Sequence, residues 1–128
     1  MSLFGKIFGD KKEDNDSSLP LWKLIESESD LEKAIEVSQN KTVAIFKHST
    51  RCFISKTVLK NFEAELRENT NLDAELYFLD LIAHRAVSNK IAEDLGVRHE
   101  SPQLLVLQNG TVKNSASHQD ISISQITA

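Results

Sequence analysis

Between Thr42 and Ser55 the chain reads TVAIFKHSTRCFIS, and this stretch leaves few folds open. Val43-Ala44-Ile45-Phe46 is a short apolar run, mostly β-branched or aromatic and followed by polar turn formers, which is how a buried parallel strand reads. After Cys52 the period changes. Ile54, Val58, Leu59, Phe62 and Leu66 recur at three- and four-residue steps, so a helix begins close to the cysteine and buries that face. A strand, a tight loop and a helix start bring Cys52 to a place where unsatisfied backbone N–H groups and the positive end of the helix dipole converge. Such a place favours a thiolate over a thiol.

The flanking residues act in the same direction. Lys47, His48, Arg51 and Lys56 surround the cysteine, and no acidic residue lies between Thr42 and Asn61. His48 either steadies the thiolate, assists proton transfer or is a solvent-facing loop residue. Arg51 keeps its charge at any relevant pH, so it suits electrostatics and recognition better than proton transfer. Ser55 stands three residues after Cys52, where a dithiol oxidoreductase carries its second cysteine. It either hydrogen-bonds the sulfur or caps the helix.

Composition excludes several classes. With 128 residues and 40% hydrophobic content, one domain with one core is the simplest reading. A net charge of −4, with no basic stripe interleaved with aromatics, argues against nucleic-acid binding. A single cysteine forms no internal disulfide, which fits a reducing cytoplasm. No apolar run approaches the length of a membrane span. One Cys and scattered His84, His99 and His118 supply no spaced metal-ligand set.

The order of elements follows from local signals. Residues 1–18 read as a flexible tail and charged linker, DKKEDNDSS closing them, and the folded domain as 19–128. Leu21–Ile25 offers a short first strand. Ser29-Asp30-Leu31-Glu32 has capping-box spacing and opens a helix ending near Gln39-Asn40. Glu75–Leu81 reads as a second buried strand, and a helix from Arg85 to Leu95 is terminated by Gly96. Leu104–Leu107 and Thr111–Lys113 flank Asn109-Gly110, a strong hairpin signal. Ser117–Asp120 caps a last short helix from His118 onward, with Ile121 and Ile126 packing on the sheet. The alternation predicts an α/β fold with a mixed sheet of four to five strands flanked by helices.

Phe46-Lys47-His48-Ser49-Thr50-Arg51-Cys52, followed by Ile54-Ser55, resembles the signature of the monothiol bacilliredoxins of the YtxJ type. Leu95–Gly110, LGVRHESPQLLVLQNG, is similar to the cis-proline segment and following hairpin of thioredoxins in general. The resemblance implies a thioredoxin-like fold and a monothiol thiol-disulfide oxidoreductase that takes bacillithiol off protein mixed disulfides through Cys52. It implies a cis Pro102 beside Cys52, with the Ser101 backbone free to pair with a docked peptide or thiol as an added strand. It implies no tightly bound cofactor; bacillithiol or another low-molecular-weight thiol is the co-substrate. Partners would be client proteins with mixed disulfides and an external thiol or reductase. The family usually has proline directly after the cysteine, and here that residue is Phe53, which we expect to form an apolar docking rim. Thioredoxins also carry a buried acid six residues before the nucleophile, and here that residue is Phe46.

Two other classes share the pattern. Monothiol glutaredoxins with the same Cys-x-x-Ser spacing carry an iron–sulfur cluster between two subunits, but they have glycine where bulky Phe53 stands. A thioredoxin-like scaffold also serves as a non-enzymatic binding module.

Overall fold

A computed structural model describes residues 21–127. The expected tail and linker at 1–18, and the expected domain start at Leu19, lie outside the described residues. The elements run β1 (Lys23–Leu24), α1 (Glu28–Val37), β2 (Thr42–His48), α2 (Phe53–Glu68), β3 (Ala74–Asp80), α3 (Arg85–Leu95), β4 (Gln103–Gln108), β5 (Thr111–Ser117) and α4 (Ser124–Thr127). The five strands form one sheet in the order β1-β3-β2-β4-β5. β2 pairs parallel with β3 and antiparallel with β4, so the sheet is mixed.

β2 is the centre of the molecule because every residue from Val43 to His48 is buried. Its side chains alternate between two cores. Val43 and Ile45 pack with Leu31, Ile91 and Leu105 beneath α1 and α3, while Ala44 and Phe46 pack with Trp22, Phe62 and Leu104 beneath α2. Strand β3 is less enclosed than a fully buried strand, with Tyr77 and Leu79 its buried positions. Trp22 holds the first strand segment to α2 by donating its Nε1–H to Glu63 Oε2 at 2.7 Å, and its ring lies among Phe46, Phe62 and Phe78.

Local signals act as their chemistry requires at two turns. Gly96 takes φ +67° at the end of α3, and Asn109 and Gly110 take φ +55° and +78° in the hairpin, the left-handed pair that matches strand twist. Elsewhere the chain departs from the sequence reading. Helix α1 is capped by Ser27, two residues before the expected Ser29: Ser27 Oγ accepts from Asp30 N at 3.1 Å and Asp30 reaches back to the Glu26 N–H. Both frames satisfy capping-box spacing, and Asp30 favours the earlier one by accepting from the Glu26 N–H, one residue before the cap. No α-helix begins at His118, because His118 has φ +56°, which a right-handed helix excludes. A single 3-10 turn, His118–Asp120, stands there instead, and α4 follows at Ser124. Ile121 and Ile126 do pack against the α2-side core.

Candidate functional site

The site forms where β2 ends and β4 begins. Their antiparallel register sets Lys47 opposite Gln103, so the loop after His48 and the loop before Gln103 emerge from one end of the sheet. β5 also finishes there, with Ser117 opposite Gln103, and His118 N donates to Pro102 O at 3.0 Å. The Ser101–Pro102 peptide is cis.

Cys52 is the N-cap of α2, with φ −108° and ψ 120°, and it is partly exposed. A tight turn precedes it, closed by Cys52 N to Ser49 O at 3.2 Å, and its own carbonyl accepts the Lys56 N–H at 3.1 Å. Helices usually place an oxygen-bearing side chain at this position to accept from the second or third helical N–H. Here the side chain is a thiol and makes no capping hydrogen bond. The thiol therefore stands at the positive end of the α2 dipole, beside first amides that it does not cap.

Ser55, one turn into α2, is fully buried. Its Oγ accepts the Ser49 N–H at 3.1 Å and lies 2.8 Å from His48 Nδ1. The hydroxyl is thus engaged with the loop and the strand end, neither with the Cys52 sulfur nor as a cap. His48 is buried too, which sets aside a solvent-facing role. Burial pushes its pKa below 6.5; Asp80, its register partner on β3, works against that fall, and Lys56 adds to it. The imidazole lies against the rings of Phe46 and Phe78.

The remaining expected residues divide. Arg51 is exposed beside the cysteine. Phe53 is 81% exposed and Ile54 45%, so both stand at the surface next to Cys52. They border a groove of about 240 Å³ whose other walls are Thr57, Val58, Asn61, Gln119 and Ile121. Ile54 thereby leaves the buried face the periodicity assigned to it. At about 100° per residue the stripe through Val58, Phe62 and Leu66 centres on Ser55, and Ile54 falls at its edge. Ser101 makes no backbone hydrogen bond among the described residues, and its Oγ is buried without a partner.

Lys47 does not join the positive field around the cysteine. It shares the α3-side face of β2 with Val43 and Ile45, is fully buried, and its Nζ lies 3.4 Å from Ser88 O. Burial, with Arg85 nearby, lowers its pKa to about 8. Around it lies a polar group that the sequence reading missed: Gln103 Nε2 donates to Arg98 O at 3.0 Å, and Ser88 Oγ sits 3.5 Å from His99 Nδ1. Period-two alternation carried one residue beyond Phe46, two from Ile45, would have placed Lys47 on this face.

The sequence model of the family described as monothiol bacilliredoxin BrxC matches residues 23–126. The chain belongs to that family. Among solved structures, one described as a candidate oxidoreductase with a thioredoxin fold is 31% identical, with a TM-score of 0.75 over 88% of this chain and 96% of that one. The thioredoxin of Malassezia sympodialis matches at 20% identity and TM-score 0.65, over 84% of this chain and 91% of that one. The thioredoxin of Schistosoma mansoni matches at 20% and 0.62, over 81% and 90%. The last two establish the fold alone. Membership of the bacilliredoxin family gives the chain a thiol redox role, and its one cysteine makes it monothiol. Among the described residues no His, Cys, Asp and Glu cluster could hold a metal ion, and no helix is long and apolar enough to cross a membrane.

Proposed function

We propose that Cys52 removes a low-molecular-weight thiol, bacillithiol by family likeness, from cysteines of client proteins in the cytoplasm. The observation that carries the reading is the lone thiol at the N-cap of α2, partly exposed and beside helix amides that it does not cap. The Cys52 thiolate attacks the small-thiol sulfur of the mixed disulfide in line. One S–S bond forms as the other breaks, the client cysteine leaves as a thiolate that takes a proton from water, and Cys52 keeps the small thiol as a disulfide. An external thiol or reductase then supplies the two electrons that regenerate Cys52, since the residue at the resolving position is Ser55. Arg51 offers a fixed charge to an anionic thiol. The free Ser101 backbone offers strand-like pairing, and Phe53 with Ile54 offers an apolar rim to the client.

The test is intact-mass spectrometry of the protein mixed with a client carrying a bacillithiol, glutathione or coenzyme A adduct. One adduct mass should appear on Cys52 as the client is freed. Cys52→Ser should abolish transfer. Transfer that survives Cys52→Ser, or no adduct with any of the three thiols, would overturn the reading and leave a binding module.

A further inference from the structure

Phe53 and Ile54, two of the large apolar side chains that stand exposed among the described residues, border one groove of about 240 Å³ next to Cys52. Val58 and Ile121 of the α2-side core line it as well, so the groove opens onto that core. An apolar cavity of about 150 Å³ holds benzene, and this groove is therefore wide enough for an aromatic side chain.

The chain carries a matching segment of its own. Leu3, Phe4, Ile7 and Phe8 precede a charged stretch, residues 10–18, that leads on to Leu21, the first described residue. Leu21 packs on the same α2-side core and borders a hollow with Leu66 and Arg67, toward the other end of α2. From Leu66 back to Val58 the helix rises about 12 Å, whereas the residues between Phe8 and Leu21 reach up to about 40 Å. Length therefore permits the connection, and charge favours it. The exposed charged residues of α2 are Lys56, Lys60 and Arg67 against Glu68, and the charged stretch has Asp10, Glu13, Asp14 and Asp16 against Lys11 and Lys12.

We propose that residues 3–8 seat their apolar side chains in the groove next to Cys52 of the same chain. The tether makes the encounter intramolecular, so a modest intrinsic affinity is enough. A seated segment covers Phe53 and Ile54, the rim that the proposed transfer reaction offers to clients, and competes with them. That competition rests on the transfer reading; the docking does not.

Amide NMR of the full chain tests the docking, with the parent compared to the double variant Phe4→Ser/Phe8→Ser. The Val58, Asn61, Gln119 and Ile121 amides should shift while those of Leu31 and Ile91, in the other core, stay in place. Tenfold dilution should leave the difference unchanged. In Thr57→Arg, which fills the groove from an exposed position, the same tail substitutions should move these amides at least threefold less. Unmoved Val58 and Ile121 amides, or an equal shift in Thr57→Arg, overturn the proposal, and a difference that fades on dilution gives the groove to a second copy and overturns it too. Should Thr57→Arg fail to fold, the comparison in the parent background decides alone. With the groove uncovered, the double variant should also free a mixed-disulfide client at least twofold faster than the parent, and an equal rate overturns the competition. The NMR comparison contains no client, so failed docking is distinguishable from failed transfer.

Discussion

Lys47 and His48 are consecutive residues whose side chains lie on opposite sides of the sheet, one against α3 and the other against α2. Both are bases, both are buried, and both hold protons less readily than in water. The strand end therefore carries two proton-sensitive groups, one for each core.

For Lys47 the sign follows from linkage. Its pKa drops from 10.5 to about 8 on folding, so between those values the unfolded chain binds the extra proton and stability rises with pH. At pH 7 the buried ammonium is a burden. Lys47→Met should raise stability at pH 7 by about 2 kcal/mol and flatten the difference curve between pH 8 and 10.5. Urea unfolding at pH 7 and pH 10 checks both; a less stable variant would mean that the Ser88 contact is worth more than the desolvation.

His48 works in the acid range. The unfolded histidine takes its proton near 6.5 while the folded one, held neutral by burial, resists, so stability falls as pH drops below 6.5 and levels off beneath the folded value. His48→Gln should remove that portion of the acid slope. Parallel unfolding curves from pH 7 to pH 5 measure it, and identical slopes would contradict the burial effect.

Trp22 and Glu63 should behave as a unit. Trp22→Phe leaves the buried Glu63 carboxylate without its donor and should cost about 2 kcal/mol, followed by circular dichroism because the only tryptophan is gone. Adding Glu63→Met should recover much of the loss, since removing both partners leaves nothing unsatisfied. If the double variant is as unstable as the sum of the singles, the hydrogen bond is not what links them.

Phe53 gives a prediction of the opposite kind. At the first position of α2 and 81% exposed, it contributes little to the core, and proline is well suited to that position. Phe53→Pro should leave stability unchanged or raise it by up to about 1 kcal/mol while shifting relative rates among clients severalfold. Competition between two mixed-disulfide clients reads the shift, and equal rate ratios in parent and variant would remove Phe53 from recognition.

Local chemistry made much of this fold legible. Gly96 marks the end of α3, Asn109-Gly110 the hairpin, and the change of period at Cys52 the passage from strand to helix. Each is decided by residues within a few positions of one another. What stayed hidden depends on direction and on distant partners. Ser29 and Ser27 both satisfy the cap spacing, and Asp30 selects between them. Ser55 reads as a partner for the sulfur or a helix cap, yet it sits at the centre of the buried stripe because His48 and the Ser49 amide satisfy it there. Lys47 reads as part of the cysteine's field, and only its place in a seven-residue strand turns it toward Ser88.

The lone cysteine sets the reaction order of everything that happens at this sulfur. With Ser55 where a second thiol would close a ring, any disulfide at Cys52 joins two molecules, so its lifetime is fixed by the concentration of whatever thiol arrives next. A dithiol enzyme resets itself on an internal clock. For the proposed reaction the clock is the composition of the surroundings, and the fraction of chains carrying an adduct would be a readout of that pool.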